Sequence, residues 1–105
     1  MSTTLFEKVT LGLSLLFLCS SVFADDKMDL GLEVYNNKAQ CGVCHALQAA
    51  GSEGQIGPDL DLLKSQIPRI IYAVTNGIGV MPSWEGILTY EEIEAVAYYV
   101  FNSTK

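Results

Sequence analysis

The sequence predicts a single small all-α domain, and three features of the chain carry this prediction. Its 105 residues are enough for one domain and exclude a multidomain enzyme. After residue 24, no stretch alternates between apolar and polar residues with the period of two that a half-buried strand needs. Apolar residues recur at helical spacing instead, most clearly between positions 93 and 101.

Residues 1–24 are expected to be a secretory signal peptide that is cleaved after export. Val9–Phe23 carries no charge, Lys8 precedes it, and the small residue Ala24 ends it in the manner of a signal-peptidase site. A membrane anchor is the alternative, but the apolar segment is shorter than the roughly 20 residues that a spanning helix needs. We therefore expect residues 25–105 to form the functional domain, in the periplasm and without stable membrane insertion.

Helices separated by glycine- and proline-containing loops are predicted after the leader. Leu30 and Val34 share one helical face, and Pro68 is suited to the first turn of a helix that Gly77 ends. The predicted helical segments are 29–38, 60–64 and 68–76, and the predicted loops are 51–59 and 77–88.

The last helix has the clearest start signal in the chain. Thr89 is expected to be its N-cap and Glu92 to complete a capping box, with Leu88 facing Ile93 as a hydrophobic staple. The apolar residues that follow define one broad face that must be buried: Ile93, Val96, Ala97, Val100 and Phe101.

The balance of charge limits the classes of partner. The chain has 12 acidic and 6 basic residues and a formal net charge of −6, which disfavours binding to nucleic acid or to an anionic membrane. A basic or neutral protein surface is the favoured partner. The cluster Glu91, Glu92 and Glu94 could steer such a partner, although acidic residues are also typical of a solvated helix N-terminus.

The sequence CGVCH at positions 41–45 carries the chemistry. In a helical turn, the thiols of Cys41 and Cys44 lie on one edge and the imidazole of His45 projects beside them. This arrangement suits covalent attachment of haem, because the thiols can bond to its two vinyl groups while the imidazole binds iron. A large apolar cofactor would also stabilise a domain too small to do so with its core alone.

Three other roles for this motif fit less well. A tetrahedral zinc site needs four ligands, more than the cysteines and the single histidine after residue 24 supply. A thioredoxin-like redox pair requires strands that the sequence does not predict. A disulfide between Cys41 and Cys44 would close a loop too short to restrain much of the unfolded chain.

A methionine is expected to be the second axial ligand, because His45 is the only histidine in the chain. Met28 lies ahead of the first predicted helix, near a terminus expected to fray, and is expected to be a loosely packed apolar residue. Met81 lies in GIGVMP between two predicted helices, where the glycines permit bending and Pro82 excludes helical conformation at Met81. With His45 and Met81 on the iron, both axial positions are filled, and such a haem transfers single electrons.

Together these motifs resemble the small monohaem class I cytochromes c over residues 29–105. The segment Gly57-Pro58-Asp59-Leu60 is similar to the GPxL segment of that family, which implies that the carbonyl of Pro58 orients His45. NGIGVMP is similar to the family's methionine loop, which implies Met81 as the distal ligand. The implied fold is all-α, with three to four helices wrapped around one covalent haem c.

The same resemblance implies that the first and last helices cross. Gly31 and Tyr35 match the small and aromatic residues of the first helix, and Val96 and Tyr99 match the last. The apolar stripe alone places Tyr99 just off the buried face, so its burial is implied only by the resemblance. The chain departs from many relatives by two additional residues between Tyr35 and Cys41.

The implied function is that of a periplasmic single-electron carrier and not of an enzyme. Its expected partners are a dehydrogenase donor and an oxidase or cytochrome acceptor. VTNGIGVMPSW with CGVCHAL is similar to monohaem cytochromes that accept electrons from periplasmic sulfite dehydrogenases. The alternatives are a haem enzyme or a gas or peroxide sensor with an open distal position, and a permanent subunit of a larger enzyme. Further candidates at the haem are Ile56, Arg69, Tyr72 and Trp84.

Overall fold

The computed structural model describes residues 23–104, which form a mainly helical domain. Residues 23–33 form helix α1, which runs on into a π-helical turn at Val34–Lys38. The helices that follow are α2 (Leu60–Leu63), α3 (Ile67–Asn76) and α4 (Tyr90–Ser103). The predicted all-α fold is confirmed.

The expected signal peptide, residues 1–24, lies outside the described residues except for its last two positions. Phe23 and Ala24 are helical and exposed. Within residues 23–104, no helix combines the length and the apolar character that crossing a membrane requires. The cleavage of this leader remains a prediction.

The first helix differs from its expected span of 29–38. Its end at Lys38 is as predicted, but residues 23–28 are already helical and the last turn is wider than an α-helical one. The amide of Ala39 donates to the carbonyl of Val34 at 2.8 Å and closes this turn. Gln40 then takes a left-handed conformation, with φ of 49°, and redirects the chain into Cys41. The segment between Tyr35 and Cys41, which has two more residues than in many relatives, is therefore formed by the π-helical turn and the left-handed Gln40.

Within residues 23–104, a small antiparallel hairpin departs from the expectation that the chain lacks strands. Strands β1 (Ala46–Leu47) and β2 (Ser52–Glu53) pair with Leu47 opposite Ser52, and a short 3-10 turn with left-handed Gly51 connects them. Each strand has only two residues, so no alternating pattern could reveal it in the sequence.

The short helix and the third helix lie close to their predicted bounds. The carboxylate of Asp59 accepts a hydrogen bond from the amide of Asp61 and caps α2. Helix α3 begins one residue before Pro68, which lies in its first turn. Gly77 ends α3 as predicted, with φ of 74°.

The predicted capping box of α4 is confirmed. Thr89 Oγ1 accepts from the amide of Glu92 at 3.1 Å, and Glu92 Oε1 accepts from the amide of Thr89 at 2.9 Å. The predicted apolar face is buried except at Phe101, which is half-buried. Helix α4 therefore supplies much of the core.

Helices α1 and α4 cross where the family resemblance implied. A Cβ atom built on Gly31 would lie 2.3 Å from the carbonyl oxygen of Ala95 and 2.5 Å from Cβ of Tyr99. The rings of Tyr35 and Tyr99 pack with their centroids 5.9 Å apart, and both side chains are buried. The burial of Tyr99 corrects the position just off the buried face that the apolar stripe alone predicts.

Candidate functional site

Cys41, Cys44 and His45 project from one compact turn. Residues Cys41–Val43 form a 3-10 turn, and the carbonyl of Cys41 accepts hydrogen bonds from the amides of Cys44 and His45 at 3.1 and 2.9 Å. Neither thiol is in a disulfide. Burial raises the pKa of the Cys41 thiol to about 11, so this thiol is protonated at neutral pH.

The ring of His45 is held by the loop that follows β2. Its Nδ1 lies 2.7 Å from the carbonyl oxygen of Pro58. Because a carbonyl only accepts, Nδ1 carries the hydrogen and Nε2 keeps the lone pair that a metal needs. The same loop is anchored to the turn by the amide of Gly57, which donates to the carbonyl of Cys44 at 2.7 Å.

Glycine allows this loop to approach the turn closely. A Cβ atom at Gly57 would lie 2.5 Å from Cε1 of His45, and one at Gly54 would lie 2.5 Å from the carbonyl carbon of Cys44. Side chains at these two positions would push the loop away from the imidazole. The loop is thus shaped to lie against His45.

Met81 lies in a tight backbone turn after α3. The amide of Ile78 donates to the carbonyl of Met81 at 3.1 Å, and the amide of Met81 donates to the carbonyl of Ile78 at 2.9 Å. Gly79 lies between them with φ of 57°. The side chain of Met81 is half-buried and packs against the core.

The methionine loop is fastened to the end of α3 on its other side. Ser83 Oγ donates to the carbonyl of Thr75 at 2.6 Å, and the amide of Trp84 donates to the carbonyl of Val74 at 2.9 Å. A Cβ atom at Gly77 would lie 2.6 Å from the carbonyl oxygen of Met81. The loop therefore has little freedom to move Met81.

The residues present fit a covalently held haem. Two free thiols and an imidazole with its Nε2 lone pair leave one turn, a half-buried thioether is held in a fixed loop, and these are the ligand types of His/Met c-type haem. Exposed apolar side chains lie in the three segments that carry these groups: Val43, Ile56, Ile78 and Val80. A large apolar macrocycle could pack on such side chains.

The other candidates from the sequence are placed differently. Met28 and Trp84 are half-buried and pack on the core, whereas Ile56 is exposed. Tyr72 is exposed and lines an open groove between α3 and α4. Arg69 is exposed.

The polar contacts that the sequence did not predict include two side-chain pairs between distant residues. Glu92 is buried and forms an ion pair with Lys38, which removes it from the exposed acidic cluster. The hydroxyl groups of Tyr35 and Ser52 lie 2.8 Å apart beside the CxxCH turn. Neither pair has a local signal, because its members are distant in the sequence.

Known proteins similar to this chain are c-type cytochromes. The family model described as cytochrome c oxidase, cbb3-type, subunit III, matches residues 26–100. Cytochrome c6 of Tetradesmus obliquus is 37% identical over 84 residues, which cover 70% of this chain and 90% of that protein. Chloroplastic cytochrome c6 of Chlamydomonas reinhardtii is 36% identical over 103 residues, covering 89% and 65%.

A solved structure gives the same result. The crystal structure of the c-type cytochrome SorU from Sinorhizobium meliloti matches with a TM-score of 0.71 and 49% identity, over 76% of this chain and 93% of that one. The sequence matches and the structural match both name c-type cytochromes, in agreement with the haem attachment predicted from the CxxCH turn. The chain therefore belongs to the small monohaem class I cytochromes c, binds one haem c covalently, and is an electron carrier and not an enzyme.

Proposed function

We propose that the protein is an exported single-electron carrier whose haem is attached through Cys41 and Cys44 and ligated by His45 and Met81. The haem, when bound, supplies an iron that changes between the ferric and ferrous states. Cys41 and Cys44 would retain the cofactor through thioether links, and the side chains of His45 and Met81 would hold the iron and leave no position for other ligands. A closed iron favours electron transfer over substrate chemistry.

The contact between His45 and Pro58 carries this proposal. At 2.7 Å, the Pro58 carbonyl holds the hydrogen on Nδ1, so Nε2 is the nitrogen available to iron. A hydrogen bond from Nδ1 also makes the imidazole a stronger electron donor. Pro58 is thus proposed to orient the proximal ligand.

The proposed opposite ligand is Met81. Its backbone is fixed by the reciprocal hydrogen bonds with Ile78, and its soft thioether sulfur stabilises ferrous iron and raises the reduction potential. Met28, the other methionine among the described residues, lies in α1 and packs against the core. The fixed loop supports Met81 over Met28.

The absorption spectrum tests this ligation. We expect the oxidised holoprotein to show the weak near-infrared charge-transfer band of a sulfur-ligated ferric haem, and Met81→Ala to abolish it. Met28→Ala is the matched control and should retain the band. Loss of the band in Met28→Ala with its retention in Met81→Ala would contradict the assignment, and ready carbon monoxide binding by the reduced wild type would contradict a closed iron.

The proposed location is the periplasm, after removal of residues 1–24, and the proposed donor is a periplasmic sulfite dehydrogenase. The similarity of residues 41–47 and 74–84 to cytochromes that accept electrons from such enzymes supports this donor. The acceptor is an oxidase or another cytochrome. We propose a free carrier that meets its partners briefly, as is typical of weak redox complexes.

Stopped-flow reduction tests the donor. A sulfite dehydrogenase should reduce the holoprotein rapidly, and the rate should fall as salt is added, because a chain of net charge −6 is steered towards a basic surface. Gel filtration of the mixture should show no stable complex. Reduction no faster than by an unrelated dehydrogenase would exclude this donor, and co-elution would indicate a permanent subunit.

A further inference from the structure

A buried hydroxyl pair contacts the CxxCH turn from the side of α1. The side chain of Tyr35 is fully buried, and its hydroxyl lies 2.8 Å from Ser52 Oγ and 3.4 Å from the backbone carbonyl oxygen of His45. A buried phenol is costly unless its hydroxyl is hydrogen-bonded. Tyr35 meets this need with two groups, one of which belongs to the proposed proximal ligand.

Counting protons leaves two arrangements of the hydrogen bonds around this pair. Each hydroxyl donates one hydrogen and accepts others. When Ser52 donates to Tyr35, the hydrogen of Tyr35 is available to the carbonyl of His45. The alternative, in which Tyr35 donates to Ser52 and Ser52 donates to the carbonyl of Leu47 at 3.5 Å, leaves His45 without this donor. The direction in which the Ser52 hydroxyl points therefore determines whether Tyr35 donates to the carbonyl of His45.

The packing around the pair shows that it touches the turn directly. A Cβ atom built on Gly42, inside the CxxCH sequence, would lie 2.6 Å from Cβ of Ser52 and 3.5 Å from Cε1 of Tyr35. The turn is thus pressed against the hydroxyl pair without an intervening side chain. A change in the pair would be transmitted to the turn over a very short distance.

We propose that the Tyr35 hydroxyl, oriented by Ser52, is a positioning group for His45. It holds the backbone carbonyl of His45, while the carbonyl of Pro58 holds Nδ1 of the ring. The first contact fixes the backbone from which the side chain of His45 departs, the second fixes the ring, and together they limit the displacement of the imidazole. This inference rests on the proposed ligation of iron by His45, and it concerns a hydroxyl group that a phenylalanine at position 35 would lack.

The proposal is tested by measuring, with NMR on the reduced holoprotein, how fast the Nδ1 proton of His45 exchanges with solvent. Tyr35→Phe keeps the ring and removes the hydroxyl, so the bond to Pro58 should open more often and exchange should be about fivefold faster, the factor for one ordinary hydrogen bond. Ser52→Ala removes the competing acceptor and leaves the His45 carbonyl as the remaining partner of the Tyr35 hydroxyl, so exchange should be no faster than in the wild type. Combined with Tyr35→Phe it should add nothing, because Ser52 acts on His45 through the Tyr35 hydroxyl.

Tyr99→Phe is the matched control, since Tyr99 is the other ring of the same buried pair. It should leave the exchange rate unchanged even where it lowers the melting temperature. Wild-type exchange in Tyr35→Phe would overturn the positioning role alone. Absence of haem ring-current shifts on the His45 ring signals of the reduced wild type would instead contradict the proposed ligation and this inference with it.

Discussion

Gly57 lies against the imidazole of His45 so closely that a Cβ atom at position 57 would stand 2.5 Å from Cε1. The chain cannot simply retreat there, because the amide of Gly57 is bound to the carbonyl of Cys44 and the next residue, Pro58, accepts from His45 Nδ1. The edge of the ring is therefore confined by backbone. A glycine is needed here for space and not for its backbone conformation.

Gly57→Ala is expected to displace the His45 ring and break its hydrogen bond to Pro58. The thioether links should retain the haem, but the absorption spectrum should show altered axial ligation, and the melting temperature should fall. Gly51→Ala is the control, because that position is in open space and left-handed, with φ of 66°. Gly51→Ala should lower the free energy of unfolding by about 1–2 kcal/mol and leave the absorption spectrum unchanged. A wild-type spectrum in Gly57→Ala would contradict the close contact between Gly57 and the His45 ring.

Gly31→Ala is expected to destabilise the crossing of α1 and α4. In an exposed helix this change stabilises by about 1 kcal/mol, but here the new Cβ would lie 2.3 Å from the carbonyl oxygen of Ala95. The helices would have to separate, so we expect a net loss of about 1–3 kcal/mol in the free energy of unfolding. Urea denaturation of the holoprotein measures it, with exposed Asp29→Ala as the control. Unchanged or increased stability of Gly31→Ala would contradict this close packing.

The ion pair between Lys38 and Glu92 predicts a pH-dependent stability. The hydrogen bond from Lys38, together with the backbone amide of Thr89, lowers the pKa of Glu92. The ionised Glu92 side chain therefore stabilises the folded state above the ordinary glutamate pKa, and this stabilisation is lost as the pH falls through the lowered pKa. The hydrogen bond to Glu92 raises the pKa of Lys38. The stabilisation by the protonated Lys38 side chain is therefore lost as the pH rises through the raised pKa.

Glu92→Gln should therefore lower the free energy of unfolding most between about pH 5 and 10, and the difference from the wild type should shrink on either side. Glutamine retains the acceptor for the amide of Thr89, so the capping box is preserved. Denaturant titrations across this range measure the difference. Glu94→Gln removes the same charge from the same helix and serves as the control. A difference independent of pH would exclude the ion pair as its cause.

Local features were predictable because their causes lie within a few residues. The capping box of Thr89 and Glu92, the end of α3 at Gly77 and the turn of the CxxCH motif each depend on contacts within about one helical turn. The fold class and the candidate ligands followed from these signals. The assignment of Pro58 needed more, namely the resemblance to a family.

Patterns in the sequence thus revealed helices α2, α3 and α4 and the residues that carry the thiols, the imidazole and the thioether, but not that residues 23–28 already belong to α1. The packing of the folded chain sets the partners of residues far apart in the sequence, as in the ion pair between Lys38 and Glu92, 54 positions apart, and the hydroxyl contact between Tyr35 and Ser52. It also decided that Tyr99 is buried, because that depends on how closely Gly31 lets α1 approach. Such contacts arise from packing of whole elements, for which a sequence pattern limited to neighbouring residues has no signal.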